Sequence, residues 1–213
     1  MNIAANLGPA LTLEVADADS IAKLRHQAEG CTRCDLYRNA TQIVFGEGSD
    51  KAEIVLVGEQ PGDREDIAGR PFVGPAGRLL DHCLEEAGLD RGRCYVTNAV
   101  KHFKFTPRGK RRLHAKPNAG EIRRCAWWLG AELNILQPKL VVALGASALY
   151  ALLGPKAKLT PERGHILQPR NHPPVLVTIH PSFLLRIRDE KENHQQRQAF
   201  VSDLHKAAEF QSR

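Results

Sequence analysis

The sequence predicts an α/β protein, a three-layer α/β/α sandwich around a mostly parallel, four-stranded central sheet. Two observations support this fold class. Four apolar runs of strand length are nearly continuous in Val, Ile and Leu, which is typical of strands buried on both faces of a sheet. Helical patterns separate the runs, and strands that alternate with helices form parallel sheets. The four runs are Ile54–Val57, Tyr95–Val100, Leu140–Leu144 and Val175–Ile179.

The helices are indicated by capping residues and by apolar residues at helical spacing. Residues 1–18 lack such signals and are predicted to form a flexible N-terminal tail, which precedes a single domain over residues 19–213. The predicted helices are Ser20–Ala28, one that opens at Gly74-Pro75, Ala119–Leu136, Ala146–Leu153 and Asp189–Phe210.

Composition places the chain among ordinary globular proteins. Its 213 residues are 42% hydrophobic and 25% charged, which excludes a wholly disordered or fibrous chain. No apolar run approaches the roughly 20 residues of a membrane span, and the N-terminus lacks the features of a secretory signal. We therefore expect a cytoplasmic protein with no membrane association. Because dinucleotide and P-loop motifs are absent from the sequence, we predict neither NAD nor ATP.

The positive charge is concentrated in residues 101–124, which we call the basic segment. The whole chain has a net charge of +6, whereas this segment alone contains nine Lys or Arg and one acidic residue. His102, Phe103, Phe105 and His114 are interleaved with the cations. Cations follow phosphates and aromatic rings stack on bases, so the segment favours nucleic-acid binding over a merely solvated loop.

Polar side chains stand where the predicted strands end. Glu59 follows the first strand, Asn98 lies near the end of the second, Ser147 shortly follows the third, and His180 follows the fourth. Ligands of such sheets bind beyond the carboxyl ends of the strands. Each residue alone is more often structural, but the convergence of the carboxylate, the amide and the imidazole predicts a site at this edge, beside the start of the basic segment.

The five cysteines indicate a metal site rather than disulfides, which are rare in a reducing compartment. Cys31 and Cys34 form a CxxC motif that follows a helix, so metal ligation is favoured over a thioredoxin-type redox pair. Cys125 is a further candidate, although its apolar helix face also allows a core cysteine, and Cys83 and Cys94 fit the core. Three cysteines and one other ligand suit an iron–sulfur cluster or zinc, and the residues alone do not choose between them.

Five motifs extend along the chain, and together they resemble one known family. They are Gly58–Gly62 (Gly-Glu-Gln-Pro-Gly), Arg70–Leu80, Thr97–Phe103, Lys110–His114 and His180–Ser182. The chain resembles the uracil-DNA glycosylase superfamily, in particular its iron–sulfur branch of families 4 and 5. Within that branch the Lys110–His114 loop is similar to that of the crosslinking X type (UdgX). The resemblance covers about residues 31–205.

The resemblance implies a 4Fe-4S cluster held by Cys31, Cys34, His102 and Cys125. Two positions depart from the ordinary family 4 pattern. His102 stands where that family has its third cluster cysteine, and Gln60 replaces a small residue. The basic loop is an insertion before Cys125.

The resemblance also implies a mechanism on uracil that has been flipped out of the DNA. Asn98 reads the edge of the base, Phe72 stacks on it, and His180 stabilises the charge that develops on uracil O2. His114 attacks C1′ in place of water, and Glu59 accepts its proton. The product is a covalent adduct, and the enzyme acts once.

Further residues are expected to contact the substrate or to hold the basic loop. They are Gly58, Gln60, Asp63, Lys110, Arg112 and Arg186. Lys110 and Arg112 are expected to pin the loop against phosphates or acidic residues, and Arg186 to contact a phosphate. Asp63 and Asp66 either hold the loop by ion pairs or are simply exposed acids.

The expected partners are uracil and uracil-containing DNA, single-stranded and double-stranded, and the expected state is a monomer. Two alternatives remain open. One is a hydrolytic glycosylase of the same fold, which the Lys110–His114 loop disfavours. The other is a non-catalytic iron–sulfur or zinc module that binds single-stranded DNA, which would have no use for Glu59, Asn98 and His180 together.

Overall fold

The structure, a computed structural model, describes residues 8–12, 18–170 and 172–211. The strands in these ranges are β1 (Glu47–Gly48), β2 (Ile54–Gly58), β3 (Cys94–Asn98), β4 (Phe105–Arg108), β5 (Arg111–His114), β6 (Leu140–Leu144), β7 (Ile166–Leu167) and β8 (Val175–Thr178). The α-helices are α1 (Pro9–Thr12), α2 (Ile21–Ala28), α3 (Asp63–Ala68), α4 (Pro75–Glu86), α5 (Ala119–Leu136), α6 (Ala146–Leu153), α7 (Leu159–Glu162), α8 (Pro181–Leu184) and α9 (Glu190–Gln211). Short 3₁₀ turns lie at Asp35–Arg38 and Arg91–Arg93.

Six strands form the central sheet in the order β1-β3-β2-β6-β8-β7. The four inner strands are parallel, and the two edge strands pair antiparallel to their neighbours. The predicted α/β class is therefore confirmed, but the predicted count of four strands is wrong. The edge strands have only two residues each, which is too short to show a hydrophobic pattern in the sequence.

Each face of the sheet buries its own apolar cluster beneath a layer of helices, so the sheet is the middle of three layers. Val55 and Val57 of β2 pack with α1, α2, α5 and α6 on one face. Ile54 and Leu56 pack with α4 and α9 on the other face. Because side chains alternate along a strand, continuous apolar runs are needed to fill both faces.

Local sequence signals explain where the helices begin. The Ser20 side chain accepts a hydrogen bond from the Lys23 N–H and caps α2. At α5, Asn118 and Glu121 form a reciprocal capping box, which satisfies two N–H groups that the first turn leaves unpaired. Both α5 and α6 have the predicted bounds.

Part of the segment predicted as a flexible tail is folded. Pro9–Thr12 form α1, which packs on α5 and α6 with Ala10 buried. The Gly8 N–H donates to the Leu152 carbonyl oxygen at 2.7 Å. The tail prediction is wrong for these residues because this short apolar turn buries Ala10 against α5 and α6. The rest of the predicted tail up to residue 17 lies outside the described residues.

A buried ion pair joins the start of the basic segment to α5. Lys101 Nζ donates to Glu132 Oε2 at 2.5 Å and to the Asn98 carbonyl oxygen at 3.0 Å. Glu132 also accepts from the Tyr95 hydroxyl and from the Gly46 N–H. Both charged side chains are inaccessible to solvent. Lys101 is therefore a core residue that supports the end of β3, although it contributes to the charge of the basic segment.

We expect Glu132→Gln to lower the free energy of unfolding by about 3–5 kcal/mol, because it leaves the Lys101 charge buried without its counter-ion. Urea denaturation measures this change. Glu86→Gln is the matched control, since it breaks an exposed pair with Arg197 that is worth at most about 1 kcal/mol. Equal unfolding midpoints for the two variants would contradict the assignment.

Candidate active site

The carboxyl edge of the parallel strands gathers the polar residues predicted to act together. Gly58 at the end of β2 pairs with Asn98 at the end of β3, and Glu59 follows directly. The Gly145 N–H, after β6, donates to the Thr178 carbonyl oxygen at the end of β8. The loops after all four inner strands thus face one region.

A cavity of about 400 Å³ at this edge suits one flat ring, since small-molecule sites begin at about 300 Å³. Phe72, Asn98, His114 and His180 line it, together with Gln60 and Leu185. Asn98 is only 3% exposed, so hydrogen bonds that its amide makes inside this cavity are shielded from water.

Gly58 is required for the close packing of this cavity wall. A Cβ atom at this position would lie 2.4 Å from Asn98 Oδ1 and 2.7 Å from Phe72 Cζ. Phe72 itself has a positive φ of 57°, a conformation that costs energy for a bulky residue. Such backbone strain clusters at ligand sites, where the surrounding structure enforces it. The ring of Phe72 stacks near that of His180, with centroids 6.2 Å apart.

The tautomer of His180 is set by its neighbours. The backbone N–H of Ser182 donates to His180 Nδ1 at 3.2 Å, so this nitrogen is an acceptor. Burial, with smaller effects of His114 and Arg186, lowers the pKa of His180 to about 4. The imidazole is therefore neutral at pH 7, and its proton is on Nε2, which is left to donate to a ligand.

Glu59 and His114 face each other beside this cavity, which His114 lines and Glu59 does not. Glu59 Oε1 lies 3.4 Å from His114 Nε2, and the Ser147 hydroxyl donates to Glu59 Oε2. The side chain of His114 is half exposed. A second, larger cavity of about 910 Å³ borders Glu59 and Ser147 and extends towards Arg186.

His114 reaches this position on a hairpin that the sequence did not predict. Strands β4 and β5 pair antiparallel within the basic segment, with Phe105 opposite His114. Gln60 Nε2 donates to the carbonyl oxygens of Lys104 and Ala115, and Gln60 Oε1 accepts from the Lys104 N–H, each at 3.1 Å. Gln60 therefore holds both ends of the hairpin. Both hydrogens of its side-chain amide are thus used by the hairpin, and Gln60 also lines both cavities.

Arg112 fastens the same hairpin to α3. Its guanidinium donates to Asp63 and to Asp66, each at 2.6 Å, and lies over the rings of Phe103 and Phe105. Asp66 is fully buried, so its charge needs this partner. The two aspartates were predicted either to form ion pairs with the loop or to be exposed acids, and the structure shows the ion pairs. Arg112 and Asp63 therefore contact each other and hold the loop in place.

Lys110 and Arg186 are placed differently from the residues above. Lys110 is exposed at the turn of the hairpin, outside both cavities, whereas Arg186 is exposed at the rim of the larger cavity. The sequence interpretation assigned no role to Ser147. Its position directly after Gly145-Ala146, at a strand end, was the available signal.

The predicted cluster ligands combine three thiols with one imidazole. Cys34, Cys125 and His102 are buried, and Cys31 is half-buried. Trp128 Nε1 donates to Cys31 Sγ and the Lys101 N–H donates to Cys125 Sγ, each at 3.1 Å. Hydrogen bonds of this kind to the sulfur atoms are a feature of iron–sulfur sites.

His102 Nδ1 fits a ligand role. Among the described residues, it is the only buried side-chain nitrogen or oxygen without a hydrogen-bond partner, and such atoms are rare in proteins. Burial lowers the pKa of His102 and raises the pKa of Cys125 to about 12, with Cys34 and Cys31 adding to the latter. Within the described ranges, no three His, Cys, Asp or Glu side chains are grouped closely enough to hold a single metal ion.

No helix in the described part of the chain is long and apolar enough to span a membrane.

Comparison with known proteins identifies the family. Residues 45–205 match the family model of the uracil DNA glycosylase superfamily. This match covers the sheet, the hairpin and the residues around both cavities. The chain belongs to the uracil DNA glycosylase superfamily.

Its relatives include enzymes named as type-4 uracil-DNA glycosylases. The one from Thermotoga maritima is 40% identical over 84% of this chain and 88% of the relative. The one from Pyrobaculum aerophilum is 38% identical over 78% of this chain and 85% of the relative. The chain is also similar to a type-5 uracil-DNA glycosylase of Thermus thermophilus, 37% identical over 52% of this chain and 53% of that protein.

Proposed function

We propose that the chain excises uracil from DNA, single-stranded or double-stranded, and then remains covalently attached through His114 to C1′ of the resulting abasic site. The uracil excision rests on family membership and on the type-4 relatives. The attachment rests on one observation: a half-exposed His114 faces Glu59 Oε1 at 3.4 Å on a hairpin held at both ends by Gln60.

Recognition of uracil falls to Asn98 in the smaller cavity. Its side-chain carbonyl accepts from uracil N3–H and its amide donates to O4. Cytosine presents the opposite pattern and leaves both groups of Asn98 unsatisfied, which is costly in a buried site. Phe72 supplies the apolar face on which the flipped base stacks.

Departure of the base is assisted by His180. Breaking the bond between N1 and C1′ leaves negative charge on uracil, part of it on O2. The neutral His180 ring donates to O2 from Nε2, as an oxyanion stabiliser does. Because the pKa of His180 is about 4, the ring carries no second proton at neutral pH, and its single proton lies on Nε2 because Nδ1 accepts from the Ser182 N–H.

The sugar is then captured by His114. The ring nitrogen that does not face Glu59 provides its lone pair to C1′, and the electron pair of the broken bond leaves with uracil. Glu59 Oε1 accepts the proton from the other ring nitrogen, and this proton ultimately neutralises the uracil anion. The new C–N bond has no good leaving group, so the reaction stops after one turnover.

A 4Fe-4S cluster would be held by Cys31, Cys34, His102 and Cys125. The unpartnered His102 Nδ1 and the N–H donors aimed at two of the sulfur atoms support this proposal. When bound, such a cluster links the segments that carry its ligands and can exchange single electrons.

We expect the purified protein to be brown and to contain about four irons per chain. Cys34→Ala should lose most of this iron, because it removes one proposed ligand. The control is Cys83→Ala, a buried cysteine in α4 outside the proposed site, which should retain the iron. Colourless protein that contains zinc would contradict the proposal.

Gln60→Ala should slow adduct formation by roughly 10- to 100-fold, because displacement of a reacting group by about 1 Å is that costly. Single-turnover rates on a uracil oligonucleotide measure the effect. Gln137→Ala is the control, since Gln137 also donates its amide to a backbone carbonyl, that of Asn134 in α5, and neither of these two residues contacts the hairpin. An unchanged rate in Gln60→Ala would show that the hairpin does not need this support.

A hydrolytic glycosylase is the second candidate, favoured by the type-4 relatives. A denaturing gel of the protein mixed with a uracil oligonucleotide separates the two candidates. A protein–DNA band supports covalent attachment, and repeated uracil release without such a band supports hydrolysis.

A further inference from the structure

Ser147 holds one oxygen of the catalytic carboxylate. Its hydroxyl donates to Glu59 Oε2, while Oε1 faces His114. Ser147 is 3% exposed and lies in the first turn of α6, directly beyond β6. Gly145, which precedes this helix, has a φ of 93°, a conformation that glycine tolerates and that lets the chain turn sharply into α6.

The Ser147 hydroxyl has no structural duty that competes with this contact. Within the described residues, its hydrogen bond to Glu59 is the only one that the side chain makes. Ser147 stands between Ala146 and Ala148 at the start of α6, and this helix has no side-chain cap. Alanine at position 147 would therefore suit the helix at least as well.

The larger cavity brings solvent to the same carboxylate. Glu59 and Ser147 both line the cavity of about 910 Å³, whereas neither lines the smaller base-binding cavity. Water can therefore reach Glu59 from the side of Ser147. A carboxylate oxygen without this hydrogen bond can accept a proton from a water molecule on this side and direct the water oxygen to C1′.

We propose that Ser147 is a positioning residue that determines which nucleophile Glu59 serves. By donating to Oε2, the hydroxyl takes one acceptor site of this oxygen and holds the carboxylate with Oε1 towards His114. This inference rests on the proposed covalent function. In the competing reaction, a water oxygen would bond to C1′, Glu59 would take the water proton, and uracil would leave with the electron pair of the glycosidic bond. The products would then be a free abasic site and uracil.

Ser147→Ala tests this proposal by the ratio of free abasic product to covalent adduct, measured with excess uracil oligonucleotide. We expect this ratio to rise by about tenfold relative to the unmodified protein, in line with the loss of a hydrogen bond to a charged group. A merely structural defect lowers the amount of active protein, but it changes both products equally and leaves the ratio unchanged.

Thr160→Ala is the matched control, because Thr160 places another hydroxyl at the larger cavity. It should behave like the unmodified protein. If the unmodified protein forms no adduct at all, the proposed covalent function fails. If it forms the adduct and Ser147→Ala gives the same product ratio as Thr160→Ala, the role of Ser147 is overturned while the proposed function stands.

Discussion

Replacing His114 by alanine is expected to abolish the covalent adduct while uracil is still released. In the proposed mechanism, Asn98 recognises the base and His180 stabilises uracil O2 without help from the imidazole of His114. Alanine leaves space beside Glu59 that water can enter, and this carboxylate can then activate the water. His114→Ala should therefore convert a reaction that stops after one turnover into a hydrolysis that repeats.

A denaturing gel and a count of uracil released per protein measure this conversion. The control is His194→Ala, which removes an exposed histidine from α9 and should leave the adduct unchanged. A protein–DNA band that persists in His114→Ala would show that another residue attacks the sugar.

Replacing Asn98 by alanine is expected to reduce the rate of uracil excision by roughly 10²–10³-fold, the cost of losing preorganised hydrogen bonds in a buried site. The side chain is 3% exposed and lies at the end of β3 beside Gly58 and Phe72. Water in the enlarged cavity cannot reproduce both of its directed hydrogen bonds. Single-turnover rates on uracil oligonucleotides, single-stranded and double-stranded, measure the loss.

Binding to DNA without uracil serves as the internal control for Asn98→Ala. The basic segment is untouched by the substitution, so this affinity and its salt dependence should remain. A small loss of excision together with unchanged affinity would mean that backbone groups, rather than Asn98, read uracil.

The parts of the fold that follow from local patterns were predictable. Helices α5 and α6 have the predicted bounds because their apolar spacing is regular and α5 begins with a capping box. The edge strands β1 and β7 were missed because two residues carry no pattern. The hairpin of β4 and β5 was missed because Arg111-Arg112-Leu113-His114 does not alternate between apolar and polar residues.

The candidate site was predictable where topology alone brings residues together. Glu59, Asn98 and His180 meet because the inner strands are parallel and their carboxyl ends share an edge. The support given by Ser147 and Gln60 could not be predicted in this way. Ser147 and Glu59 are 88 residues apart, and Gln60 binds backbone atoms of the hairpin, whose residue types carry no signal of the contact.

The positive charge of the basic segment did not indicate which of its cations are buried or paired. Lys101 is buried against Glu132, Lys104 pairs with Glu121, and Arg112 is held by two aspartates. A charge run in a sequence does not reveal which of its members turn inward. These three cations therefore form ion pairs within the protein, and Arg112 thereby holds the hairpin that carries His114.

The covalent attachment is tested most directly by mixing the unmodified protein with two oligonucleotides that differ only in uracil or thymine. The samples are heated in denaturant and separated on a gel, and released uracil is counted. The proposed mechanism predicts a protein–DNA band with the uracil oligonucleotide alone, and about one uracil released per active protein. Uracil released many times per protein, with no band that survives denaturation, would contradict it.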